Sequence, residues 1–344
     1  RANTPNILGG ATSGIDDRDQ AWYDLAIEIN PTNAANIITG GIDLWSSTDR
    51  GGSFTNRTSW VQDITPASKY VHADIHNLTY NPLNNKLYAC SDGGISESSD
   101  HGVNWTNLWD DLQIMEYYHL SGYDGDANKL IGGAQDNGTN YRKNNSSHYY
   151  HIEGADGYSA LIYYADTSIL YFTGNEDMVK STDGGNSIDN TFLGDYNGNI
   201  DNSWSMMAMH PTDHNTIYSG KRGSVFKSTN GGNSSWIDKG AGGNIALLTC
   251  PSNNSRIYAC SGPDVNIKLL GGTQCWRSDF GGDSWENLNL SPGYPDPSTE
   301  PHVTDLAVSP VNSNLVWLTV GGYTSGKKVY YSGNAGDNWT NISG

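Results

Sequence analysis

His72, Asp74 and His76 stand at i, i+2 and i+4, a spacing that an extended strand would turn to one face. Two imidazoles and a carboxylate on one face can hold a divalent transition metal and leave coordination positions open. The same side chains can instead form a hydrogen-bonded polar cluster without an ion, and the commonness of alternate faces favours that simpler reading. Two aspartates follow in glycine-rich segments, Asp92 in CSDGGI and Asp136 in AQDNGT. Glycoside hydrolysis needs one protonated and one ionised carboxyl set across the scissile bond, and Asp92 with Asp136 is the pair this chain offers. Asp-Gly-Gly and Asp-Asn-Gly are also ordinary turn sequences, so a purely structural role competes. Asp124, Asp126 and Asn128 of the DGDAN segment have the alternate spacing of the first half of a calcium loop. The glycine and closing glutamate of such a loop are not at their offsets, which leaves a hairpin turn as the plainer reading.

These residues need a scaffold, and the scaffold is repetitive. Alternating apolar residues run into a turn and out again in LAIEINPTNAANIITG, NLTYNPLNNKLYAC, MMAMHPTDHNTIYSG, LLTCPSNNSRIYAC and LAVSPVNSNLVWLTV, with turns at Pro31, Pro82, Pro211, Pro251 and Pro310. Two segments keep the shape without proline, HLSGYDGDANKLIGG around Tyr123 and LIYYADTSILYF around Asp166. Period-2 alternation marks half-buried strands, so seven hairpins are expected. Counting back from the prolines puts Tyr23, Asp74 and His302 in one register. Together with His72 and His76, and with Gln135 and Asp136 of the AQDNGT turn, they are the ligand-binding candidates at one end of the strands.

A second pattern, Ser-x-Asp-x-Gly-x-x-aromatic, follows most hairpins. It reads Ser47, Asp49, Gly51, Phe54, then Ser98, Asp100, Gly102, Trp105, then Ser181, Asp183, Gly185 with Ile188 in the aromatic slot, and finally Ser332, Asn334, Gly336, Trp339. Degenerate copies begin at Ser228 and Ser278, the latter with Phe280 in place of the acid. Ser and Asp can satisfy backbone N–H groups inside a tight turn, and glycine permits a left-handed φ. Two strands from the hairpin and two around this turn make four strands every 40–50 residues or so, the period of a propeller blade. The fold class expected is all-β, a seven-bladed β-propeller over residues 21–344, preceded by a lead-in segment at 1–20 and belonging to a larger protein.

Composition narrows the function. The 344 residues include 41 Gly, 21 Tyr and 11 Trp, and 37 acids against 19 basic residues give a net charge of −18. Such a surface repels phosphate backbones and excludes nucleic acid as a partner. No apolar run is long enough to span a membrane as a helix. Cys90 in LYACS and Cys260 in IYACS occupy equivalent places, which reads as small buried strand residues rather than a disulfide framework. Trp22, Trp45, Trp60, Trp109, Trp204, Trp276 and Trp317 fall outside the repeat. Exposed members of that set could stack on sugar rings, although each taken singly reads as packing.

The Ser-x-Asp-x-Gly turns resemble those of the Asp-box, or bacterial neuraminidase repeat, propellers, over roughly residues 20–344. Sialidases, xyloglucan-active endoglucanases, sortilin-type receptors and secreted bacterial surface proteins share this motif. VHADIHNLTYNP, YACSDGGI and IGGAQDNGT are similar to stretches of secreted repeat proteins from Bacteroidetes-type bacteria. The resemblance implies a secreted or cell-surface module that binds glycan or protein partners, calcium being an expected cofactor if there is one. Its alternative implication is a glycoside hydrolase acting on a neutral polysaccharide, since catalytic aspartates of the xyloglucan-active relatives lie in a context similar to YACSDGG. Sialidase activity is not expected, because the Arg-Ile-Pro signature of those enzymes is missing and the acidic chain disfavours an anionic sugar.

Overall fold

A computed structural model describes the chain except for residues 1–3, 18–19, 110–111, 113, 144–145, 175–176, 190–205, 222–223, 234–235, 241–245, 262–273 and 297–302. His302 and Trp204 lie outside the described residues. Among the described residues there are seven antiparallel sheets, each a meander whose strands pair in chain order. Helix among the described residues is confined to three single 3-10 turns, Gln62–Ile64, Ala67–Lys69 and Leu288–Leu290. The seven hairpins expected from alternation each supply the first two strands of one sheet, including the two without proline.

The chain divides into two compact units, residues 1–115 and 116–344. The first unit holds two four-stranded sheets, Ala26–Ile29, Ile37–Gly40, Leu44–Ser47, Thr55–Asn56 and then Ile75–Tyr80, Leu87–Ser91, Gly94–Ser98, Thr106–Asn107. Ala26, Ile38, Leu44, Val71, Ile75, Leu78, Leu87, Ala89 and Trp105 form one buried cluster between them. Gly40 allows the close approach, since a Cβ there would stand 2.7 Å from Cβ of Ile75. The second unit holds five sheets, four of them four-stranded. The exception, Ala160–Ile162, Leu170–Gly174 and Asp177–Ser181, has three strands and a bridge from Lys180 to Asp189 where a fourth would start.

The Ser-x-Asp-x-Gly segments are closed turns. Ser47 donates to Asp49 Oδ1 at 2.7 Å and accepts from the Gly51 N–H at 2.8 Å, while Asp49 accepts from the Ser53 N–H at 2.8 Å. Ser98, Asp100 and Gly102 repeat this, as do Ser181, Asp183 and Gly185, and Ser332, Asn334 and Gly336. Such bonds, chiefly from Ser47 to Asp49 and from Ser187 to Asp183, hold the exposed Asp49 and Asp183 carboxyls down at about 2. Gly51 and Gly336 have φ of 81° and 98°, and the residues before them, Arg50 and Ala335, are left-handed too. Trp105 and Trp339 are buried beside their turns, as the motif's aromatic slot requires.

Cysteine departs from the expectation. Cys260 and Cys275 form a disulfide. They are direct cross-strand partners on Asn253–Ser261 and Gln274–Ser278, a proximity set by strand register that spacing alone does not reveal. Cys90 and Cys250 carry free thiols.

Candidate functional site

The first unit gathers the candidate residues where its strands begin. A turn brings the Tyr23 N–H to the Gln20 carbonyl at 2.8 Å and leaves Asp24 just ahead of the first strand. Asp74 occupies the equivalent place before Ile75–Tyr80, and the Ile75 N–H is pinned to the Gly41 carbonyl at 2.9 Å. Asp92 and Gly93 form the two-residue turn between Leu87–Ser91 and Gly94–Ser98. Gly93 is required there, because a Cβ would meet the His72 ring at 2.3 Å.

The run His72, Asp74, His76 is not one extended face. The strand starts only at Ile75, and Asp74 has a φ of 65°, a left-handed conformation in which Asp, Asn and His are enriched among non-glycine residues. His76 is the extra residue of a bulge, since Ile75 pairs with Ser91 and Asn77 with Cys90. Bulges re-aim a side chain, and this one sends His76 Nε2 to Asp92 Oδ1 at 2.5 Å. The Tyr23 hydroxyl donates to the other Asp92 oxygen at 2.8 Å, and the Tyr23 and His76 rings meet edge-on at 4.9 Å. Both oxygens of Asp92 are thus oriented. Trp22 lies beside Tyr23 with its ring 5.8 Å away and is 85% exposed.

Beneath this surface Gln20 Nε2 reaches two carboxylates, Asp74 Oδ1 at 2.5 Å and Asp24 Oδ2 at 3.3 Å. Burial pushes the Asp74 carboxyl up to about 7, and the charges of Asp24 and Asp92 push the same way. Burial raises Asp24 as well, against the Gln20 amide, which favours its charged form. Two neighbouring carboxyls raised in this way can hold and exchange a proton near neutrality.

Asp136 belongs to the second unit. It sits at φ 60° in the turn between Asp126–Ala134 and Gly138–Arg142, and its N–H is held by Asp156 Oδ1 at 2.9 Å. Gln135 accepts from the Tyr118 hydroxyl at 2.7 Å. Asp126 Oδ1 accepts from both the backbone and the side-chain amide of Asn128, at 2.9 and 3.1 Å. These bonds close an Asx turn, and the bond from the Asn128 N–H is the main reason that the Asp126 carboxyl lies below its ordinary range. Of the tryptophans outside the repeat, Trp45 is buried and Trp22 and Trp60 are exposed.

Sequence reasoning missed Gln20, Asp24 and Asp43. Asp24 directly follows Tyr23, which the proline count had aligned with Asp74, so extending that alignment by one residue would have found it. Asp43, 1% exposed between the second and third strands, gave no signal beyond its type.

No family model matches the chain, and no curated protein does. Among solved structures, the chain overlays the GH74 enzyme of Niastella koreensis with a TM-score of 0.54 at 17% identity, over 92% of this chain and 47% of that one. It therefore spans about half the length of that enzyme. The extracellular domain of a one-component system from B. thetaiotaomicron gives 0.43 at 12% identity, over 87% of this chain and 38% of the other. YCF48 from Cyanidioschyzon merolae gives 0.40 at 12%, over 89% and 94%. Together with the seven meander sheets, the Niastella overlay supports a β-propeller fold.

Proposed function

We propose that the chain is a seven-bladed Asp-box propeller module of a secreted or cell-surface protein, and that it binds a neutral glycan through the Trp22, Tyr23, His76 and Asp92 surface. A protein ligand at the same surface is the other form of this reading. One observation carries it. A bulge and a tight turn fix both Asp92 oxygens with His76 and Tyr23 beside an 85% exposed tryptophan. Oriented acceptors beside an open aromatic face suit sugar hydroxyls and the apolar face of a pyranose ring. The Cys260–Cys275 disulfide supports an oxidising compartment.

Calorimetry against a panel of neutral oligosaccharides tests the reading. Trp22→Ala is expected to weaken binding about tenfold, roughly 1.4 kcal/mol, with no change in melting temperature because the side chain packs on little. Unchanged affinity in that variant would remove the surface from the reading.

The hydrolase reading keeps one supporting observation, a high-affinity proton site at Asp74 close to the oriented Asp92 carboxylate. It expects release of reducing ends from a neutral β-glucan, lost in Asp92→Asn. Binding without any turnover would leave the module a binder.

A further inference from the structure

We propose that Asp24 and Asp74, with Gln20, bind one calcium-class divalent cation in the first unit. Asp24 is 1% exposed, and among the described residues its buried Oδ1 has no donor. An oriented acceptor shut away from water with nothing to accept from is costly, and such orphans are rare enough to need a cause. The orphan belongs to a carboxylate that shares the Gln20 amide nitrogen with Asp74. Among the described residues no Lys or Arg bonds to either aspartate, and His76, the nearby imidazole, is committed to Asp92. Asp24 and Asp74 lie within hydrogen-bond reach of each other, a contact that needs a shared proton unless a cation takes its place. A bound cation supplies the missing charge and the missing partner together.

The donor set selects the kind of ion. Asp24 and Asp74 offer carboxylate oxygens, and Gln20 can turn its amide by half a rotation to present Oε1 where Nε2 now stands, an exchange of near-isosteric atoms. Oxygen-only donors with flexible geometry suit calcium, which takes six to eight such ligands and fills the remainder with water. Zinc prefers His and Cys nitrogen or sulfur, and the imidazole here is already engaged. The left-handed backbone of Asp74 adds a geometric cause, because that conformation directs its carboxyl back to Gln20 instead of along the strand. The site does not depend on the glycan reading, since neither Trp22 nor Asp92 is a ligand in it.

Chelator-treated protein titrated with calcium chloride at constant ionic strength is expected to bind one ion per chain by calorimetry and to melt several degrees higher at saturation. Asp74→Asn, at a partly exposed position that the fold tolerates, is expected to bind at least tenfold more weakly and to lose the melting shift. Asp24→Asn should do the same. Should Asp24→Asn fail to fold, Asp74→Asn decides alone. Absence of a calcium shift in the wild type overturns the proposal, as does an equal shift in Asp74→Asn, or a response to zinc with none to calcium.

Discussion

Asp43→Asn raises the unfolding free energy by about 2–4 kcal/mol at pH 8 and changes it little near pH 4. Asp43 is 1% exposed, and the Thr58 hydroxyl at 3.3 Å is the partner of one oxygen. Burial pushes its carboxyl up to about 7 from 3.8, and the Thr58 hydroxyl and the Trp60 N–H offset only part of this. An unfolded chain releases that proton near pH 4, while the folded chain keeps it until about pH 7. Within this window the native state binds more protons than the unfolded state, so stability falls as pH rises and levels off above the folded value. A difference of about three pH units corresponds to roughly 4 kcal/mol as an upper bound, at 1.36 kcal/mol per unit. Asparagine has no charge to bury and keeps an oxygen for Thr58, so its variant lacks this slope. Asp24 and Asp74, raised in the same direction, contribute to both proteins and cancel in the difference. Asp49 and Asp183 act at the acid end, where their stabilisation is lost as pH falls toward 2. Urea unfolding of both proteins in chelator between pH 4 and 8.5 measures the difference. Parallel curves across that range would show that Asp43 ionises as freely in the fold as out of it.

The parts of this structure readable from sequence are those whose causes are local. A hairpin needs only alternation and a turn residue, so the segments around Pro31, Tyr123 and Asp166 announced themselves alike. The Ser47–Asp49–Gly51 turn closes through its own side chains, and its copies survive replacement of Asp by Asn at position 334 because Asn offers the same acceptor oxygen. The candidate site was half legible for the same reason. His76, Asp92 and Tyr23 were found by type and register, yet the bulge that makes His76 face Asp92 and the left-handed φ of Asp74 break the alternation used to find them. Asp24 meets Asp74 across two sheets, a pairing that needs the registers of both strands together. The cysteines show the limit most directly. Cys90 and Cys260 are equivalent in sequence, but Cys260 lies opposite Cys275 and Cys90 opposite Ile95. The neighbouring strand decides which of the two is bonded.

The same cross-strand logic predicts the largest loss of stability. Arg277→Ala should lower the unfolding free energy of the second unit by about 2–4 kcal/mol. The Arg277 side chain is 9% exposed, and its guanidinium reaches Asp279 at 3.1 Å, Glu286 at 2.5 Å, Asp337 at 2.6 Å and the Ala335 carbonyl at 2.7 Å. Ala335 and Asp337 belong to the left-handed turn of the following sheet, so one planar fork ties two sheets through fixed donors. Lys180 and Lys227 stand at the same position, immediately before the turn serine, and reach Asn233 Oδ1 at 3.0 Å and the Gly281 carbonyl at 3.4 Å. Removing Arg277 leaves the Ala335 carbonyl with the Tyr258 hydroxyl alone, at 3.1 Å, and three acids close together, although their partial exposure lets water recover some of the cost. Arg277→Lys should restore less than half of the loss, because an ammonium cannot span the fork. Lys239→Ala is the control, since its partner Asp283 is 66% exposed and such surface pairs contribute only about 0–1 kcal/mol. Urea midpoints of the three variants rank them, and an Arg277→Ala midpoint no lower than that of Lys239→Ala would show that the sheets hold together by apolar packing alone.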